Sequence, residues 1–240
     1  MIKITLGAYS YKNPQEINSL IRHWLERATR PERIEVIISL ESDDDLFEEY
    51  SSLLSLIENE YSIAIKIITG INPTWVKGVN RIKDEFSGDV IIICPNNSEC
   101  SPGWDDIIDD AYSKMPGSYV IKTNDSNPIK IPVFTSSYLK HKMWIYYPGY
   151  HSFFHEMELS AVIAMENKII ELPELNFKDT SRSSEIYNSD IIKFSKRLKM
   201  NFHMPEAMSS KIPSFIFEWI DKNGDGSEIK DQGDIEFFME

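Results

Sequence analysis

The chain has 240 residues, 42% of them hydrophobic and 26% charged, with a formal net charge of −13. That is a globular composition, long enough for one large or two small domains. The acidic excess argues against nucleic-acid binding, two cysteines are too few for a disulfide framework, and no apolar run approaches the ~18–20 residues of a membrane span.

Ile2 to Leu6 reads as a strand without the cleavage pattern of a signal peptide, so the expected location is the cytoplasm. A loop is expected from Gly7 to Lys12. Asn13-Pro14-Gln15-Glu16 has the form of a helix start, with Asn as cap and Pro at the first helical position. Ile17, Leu20, Ile21, Trp24 and Leu25 then recur at helical spacing. Ile34–Leu40 is a second strand, and Leu46 to Ile57 a second helix. Ile63–Ile68 is a third strand, and Val76, Val79, Ile82 and Phe86 stripe a third helix. Val90–Cys94 is a wholly apolar fourth strand, Trp104 to Met115 a fourth helix and Ser118–Lys122 a fifth strand. This alternation predicts an α/β fold with right-handed crossovers and a mostly parallel sheet flanked by helices. Beyond it, Ile131–Thr135 and Ile169–Phe177 are strand candidates. Glu156–Glu166, Asp190–Lys199 and Pro205–Lys222 are helix candidates, and Asp179 to Ser184 reads as a polar, mobile connection.

Chemistry collects at the ends of the strands, where open α/β sheets build their ligand sites. Gly7-Ala8-Tyr9-Ser10-Tyr11 lacks the spaced glycines of a dinucleotide fingerprint; Tyr9 or Tyr11 stacks on a base or is an ordinary loop tyrosine. Glu41, Asp43, Asp44 and Asp45 follow the second strand. Asp43 or Asp44 caps the next helix or accepts from a ligand, and Glu41 is the one least explained by capping. Arg81 faces a diphosphate or, with Lys77 and Lys83, belongs to a solvated helix face. His155 and Glu156 open a helix, where Glu156 is either a general base or part of a capped start. Asp221 to Gln232 begins like a calcium loop, but Gln232 stands where a bidentate glutamate is needed. A Gly-rich acidic turn is the reading there, and calcium is not expected.

In their order these pieces resemble the GT-A nucleotide-diphospho-sugar transferases, most like family 2. The resemblance rests on the Ala8-Tyr9 loop, Ser39 to Asp45, Asn80-Arg81 with Gly88-Asp89, Pro102-Gly103-Trp104 and His155-Glu156-Met157-Glu158-Leu159. It implies a nucleotide-sugar-binding and catalytic domain over 1–177, with a helical C-terminal extension, 178–240, packed on it. It implies an inverting glycosyltransferase that moves a sugar from a nucleotide-diphosphate donor to a hydroxyl of a glycan or other acceptor. Ala8, Tyr9, Glu41, Asp43, Asn80, Arg81 and Asn96 would bind the donor, and Glu156 and Glu158 would be catalytic, with Glu156 at the base position. The family's Asp-X-Asp motif is replaced by Pro95-Asn96-Asn97. A divalent cation, Mn or Mg, would therefore have only Asn97 and Glu99 to hold it, and neutral amides hold a hard cation less well than carboxylates. The alternative is a catalytically degenerate GT-A-like protein that binds nucleotide or glycan.

Overall fold

A computed structural model describes residues 1–71, 74–123, 127–151, 154–180 and 188–223. Its first half is the expected alternation: β1 (Ile4–Ser10), α1 (Pro14–Glu26), β2 (Ile34–Glu41), α2 (Phe47–Tyr61), β3 (Ala64–Gly70), α3 (Trp75–Ile82) and β4 (Val90–Ile93). Then come β5 (Ser98–Glu99), α4 (Trp104–Lys114), β6 (Val120–Thr123), β7 (Val133–Thr135), α5 (Ser136–Leu139), α6 (Phe154–Glu166), β8 (Ile169–Leu172), β9 (Lys178–Asp179), α7 (Asn188–Lys199) and α8 (Ser214–Asn223). The main sheet has the order β3-β2-β1-β4-β7-β6-β8, and β5 pairs with β9 in a separate two-stranded ribbon. The four strands from β3 to β4 are parallel. β7 is antiparallel to both of its neighbours, β4 and β6, and β8 returns parallel to β6.

Strand parity distributes the side chains between two layers. Ile4, Leu6, Ala8, Val36, Ile38, Ile92 and Cys94 face a core shared with α1, α2 and α4. Ile37, Ile91 and Ile93 face the other core, with α3, α6 and the C-terminal helices. In the first core Trp104 packs edge-on against Trp24, with ring centroids 5.2 Å apart, and donates its indole N–H to the Trp24 carbonyl at 3.0 Å. Gly103, at φ +73°, makes the left-handed turn that starts α4 there. The Pro102-Gly103-Trp104 signature thus docks α4 on α1.

Several boundaries move. β1 runs through the expected loop to Ser10, because its parallel register with β2 continues to Ser10 opposite Leu40. Phe86 lies beyond the end of α3. The helix expected from Pro205 to Lys222 is broken. A 3-10 segment, Glu206–Lys211, precedes α8, and Pro213 forces the extended backbone of Ile212 between them. The strand expected to reach Phe177 stops at Leu172. Residues 181–184 of the expected polar connection lie outside the described residues, but Asp179 is paired in β9. Residues 224–232 of the acidic turn also lie outside them. No described helix is long and apolar enough to cross a membrane.

The end of the sheet away from the strand C-termini is tied by one carboxylate. Glu35 accepts from Thr5 Oγ1 at 2.5 Å, Ser87 N and Oγ at 2.6 Å each, and Gly88 N at 3.1 Å, and pairs with Lys3 Nζ at 2.5 Å. Burial disfavours its charge, but these donors outweigh burial and hold its pKa at about 2. A pKa depressed by folding adds stability above the unfolded carboxyl's value that is lost as pH falls through the folded one. Unfolding titrations between pH 5 and 2 are expected to lose about 3 kcal/mol more in the wild type than in Glu35→Gln. Equal slopes would remove Glu35 from the acid transition.

Candidate functional site

Three residues singled out in the sequence meet at the carboxyl end of β1 and β2. Tyr9 and Glu41 have the same parity and face α3. Burial first, then the neighbouring Glu41 carboxylate, raises the Tyr9 phenol pKa. Arg81, on α3, donates from Nη1 to the Leu40 carbonyl at 2.9 Å. Its guanidinium lies where a Cβ on Gly70 would stand, 2.8 Å from Cζ. The Arg81 pKa is lowered by burial, against which Glu41 and Tyr9 act. Gly78 is needed for the same reason. A Cβ there would sit 2.2 Å from the Tyr9 ring, so the ring packs against bare helix backbone. Ser39 Oγ fixes that backbone by donating to the Gly78 carbonyl at 2.7 Å. This is a half-buried corner with a phenol face, a carboxylate and a guanidinium.

The other side of α3 holds the helix that carries Glu156. Asn80 accepts at Oδ1 from the backbone N–H of Ile145 (2.8 Å) and Tyr146 (2.9 Å) and donates Nδ2 to the Tyr146 carbonyl at 2.7 Å. Trp75 contacts both Tyr146 and His155, with centroids 5.6 and 4.9 Å away. His155 is gripped between these rings, 4.6 Å from Tyr146, and its Nε2 is 3.9 Å from Glu156 Oε1. Glu156 keeps 14% of its side chain exposed. One two-turn helix therefore joins the Tyr9–Glu41–Arg81 corner to the start of α6.

The remaining sequence candidates stand elsewhere. Ala8 has its side chain in the core, at 0% exposure. Asp43 is exposed. Its neighbour Asp44 is the structural one, accepting from Lys12 N at 2.7 Å and Leu46 N at 3.0 Å. Asn80 is committed to the clamp on residues 145–146. Glu158 is buried in an ion pair, accepting from Arg197 Nε at 2.7 Å, Arg197 Nη2 at 2.6 Å and Tyr150 Oη at 2.6 Å. Asn96 donates Nδ2 to Glu16 Oε2 at 3.0 Å, which ties the motif loop to the first turn of α1. The Asn97 carbonyl accepts from Thr180 N and Oγ1, at 3.1 and 2.6 Å. Glu99 is exposed and paired in β5. Among the described residues no three His, Cys, Asp or Glu side chains converge where a cation would sit. With two amides and one outlying carboxylate at the motif, the donors present do not fit a divalent metal.

Sequence reasoning missed Trp75, Tyr146 and Gly78. A glycine inside a helix costs about 1 kcal/mol relative to alanine, and that was the available signal for Gly78. Tyr146 sits in an aperiodic stretch that carried none.

No protein-family model matches the chain, and no curated protein matches its sequence. Solved structures match in shape. S. aureus TarS superposes with TM-score 0.69 at 11% identity, over 95% of this chain and 46% of that one. TarS 1–349 in complex with UDP-GlcNAc gives 0.68 at 12% identity, over 95% and 76%. The mannosyltransferase PcManGT from Pyrobaculum calidifontis, in complex with GDP-Man and Mn2+, gives 0.61 at 13%, over 91% and 68%. This chain thus spans just under half the length of TarS. The likeness is one of fold, and the fold is that of GT-A-like glycosyltransferases, as the resemblance in the sequence implied.

Proposed function

We propose that the chain is a glycosyltransferase that passes a sugar from a nucleotide-diphosphate donor to a hydroxyl acceptor with inversion. The observation that carries this reading is the double role of α3, which fixes the Tyr9–Glu41–Arg81 corner on one side and the start of α6 on the other. Matching folds solved in complex with UDP, UDP-GlcNAc and GDP-Man support a nucleoside diphosphate as the donor's common part.

In this reading the Tyr9 face packs on the base, and Glu41 accepts from base or ribose donors. Arg81 neutralises charge from the β2–β3 side. The diphosphate extends across β1, which brings the sugar to Glu156. Glu156 takes the acceptor hydroxyl's proton as the acceptor oxygen attacks the anomeric carbon and the bond to the diphosphate breaks. No step is assigned to a metal.

The test is a panel of nucleotide sugars incubated with and without Mn2+ or Mg2+. Absence of both nucleotide binding and donor hydrolysis across the panel would sink the proposal. Gly78→Ala is expected to keep the fold but push the Tyr9 ring aside. Steric displacement of about 1–3 kcal/mol corresponds to a ~5–150-fold loss of UDP or GDP affinity by calorimetry. Unchanged affinity would move the base away from Tyr9.

The poor fit of the motif to a metal favours a second reading, a binding module that holds nucleotide or glycan without turnover. Nucleotide binding that is indifferent to metal, with no product from any donor, would select it.

A further inference from the structure

Asn80 gives both ends of its amide to one short stretch of main chain. Its Oδ1 accepts from the N–H groups of Ile145 at 2.8 Å and Tyr146 at 2.9 Å, and its Nδ2 donates to the Tyr146 carbonyl at 2.7 Å. Residues 140–151 form neither helix nor strand, so no ladder serves the backbone there. Ile145 and Tyr146 are nonetheless 3% and 1% exposed. Buried main-chain groups need partners, and this one side chain, 65 positions away in sequence, makes all three bonds. A carboxamide suits the task because it carries acceptor and donor on one carbon. Aspartate offers acceptors alone, and an aliphatic chain of similar shape offers neither. Asparagine is also a poor residue for a helix interior, so α3 sacrifices helix propensity at this position to the clamp.

The clamped stretch walls the turn that carries Glu156. The Tyr146 ring meets the His155 ring edge-on, with centroids 4.6 Å apart. Trp75, on the same helix as Asn80, contacts both rings, 5.6 Å from Tyr146 and 4.9 Å from His155. Helix α3 thus reaches His155 by two routes, directly through Trp75 and through the main chain that Asn80 holds. His155 is 6% exposed, and its Nε2 stands 3.9 Å from Glu156 Oε1. Freeing residues 145–146 would let the Tyr146 ring back away and give the first turn of α6 room to move.

We infer that Asn80 is a positioning residue for Glu156: by fixing the main chain of residues 145–146 it seats the Tyr146 ring against His155 and so holds the turn that presents the carboxylate. Its catalytic meaning rests on the reading of Glu156 as the base. The mechanical link from Asn80 to the first turn of α6 holds equally in a chain that binds nucleotide without turnover.

The experiment compares the wild type with Asn80→Leu, which keeps the bulk and removes every hydrogen bond, and with Asn80→Asp, which keeps the acceptor and removes the donor. Asn80→Leu is expected to lower kcat about 10²-fold, the cost of misplacing a reacting group by about 1 Å, while calorimetry finds the affinity for UDP or GDP unchanged. Asn80→Asp is expected to fall between the two, and it is read in the same way if Asn80→Leu does not fold. Added to Glu156→Gln, Asn80→Leu is expected to cost little further in kcat, because a residue that acts through the carboxylate has nothing to aim once the carboxylate is gone. NMR of histidine- and glutamate-labelled protein is expected to show the His155 ring and Glu156 carboxyl signals displaced in Asn80→Leu, with His155→Phe and Glu156→Gln identifying them. An equal loss of kcat in both backgrounds would overturn the inference. So would a fall in nucleotide affinity with kcat kept, which would make Asn80 a donor contact. Signals identical in wild type and variant would overturn it whatever the activity. Displaced signals in a protein that transfers no sugar would uphold the link and overturn the proposed function instead.

Discussion

Glu156→Gln is expected to fold and bind nucleotide as the wild type does, and to lose ~10²–10⁴-fold in the rate of sugar transfer. Glutamine keeps the shape of the side chain and its hydrogen-bonding reach but cannot take a proton. The carboxylate is only 14% exposed and sits beside a histidine that two aromatic rings immobilise, so the substitution leaves the packing intact. The loss should therefore fall on kcat and leave the KM for the donor unchanged, because the Tyr9–Glu41–Arg81 corner is on the other side of α3. Single-turnover measurement with a saturating donor checks this. A variant within about threefold of wild type in kcat would leave Glu156 no role as base, since even modest general-base catalysis contributes ~10²-fold.

Much of the frame for that chemistry is legible in local pattern. The apolar runs of β1, β2 and β4 announce buried parallel strands, and parity then sends Tyr9 and Glu41 to the face of the sheet that α3 covers. Asn13 and Pro14 start α1 where capping rules require, with Asn13 Oδ1 accepting from Glu16 N. What was not legible depends on partners far along the chain. Asn80 looks like a ligand-facing amide until residues 145 and 146, some 65 positions away, take up its oxygen. Asn96 looks like the remnant of a metal motif until Glu16, 80 positions away, accepts from it. Val133–Thr135 has the composition of a strand, but three residues encode no direction, and only pairing with Val90–Ile92 makes it antiparallel. The motif strand keeps its place and ends at Ile93, one residue short of the expected Cys94. The side-chain amide of Asn96 ties the loop to α1, and the backbone carbonyl of Asn97 ties it to Thr180.

The sequence pairs Glu158 with Glu156, but the structure gives Glu158 a different partner and a different expected result. Its carboxylate is buried, bound by Nε and Nη2 along one edge of the Arg197 guanidinium and by Tyr150. Arg197 in turn stacks 3.5 Å from the centre of the Tyr147 ring, so α7 is fastened to α6 by charge, hydrogen bonds and ring contact together. Arg197→Met leaves that carboxylate buried without its cation and is expected to cost about 3–5 kcal/mol of stability. Adding Glu158→Gln removes the charge but keeps an acceptor for Tyr150, and the double variant should recover a large part of the loss. Urea denaturation of the two singles and the double closes the cycle. A catalytic Glu158 predicts the reverse, with stability little changed and transfer abolished by Glu158→Gln. If instead Arg197→Met unfolds easily while folded Glu158→Gln still transfers sugar, Glu158 holds the C-terminal helices against α6, and Glu156 alone remains to take the proton.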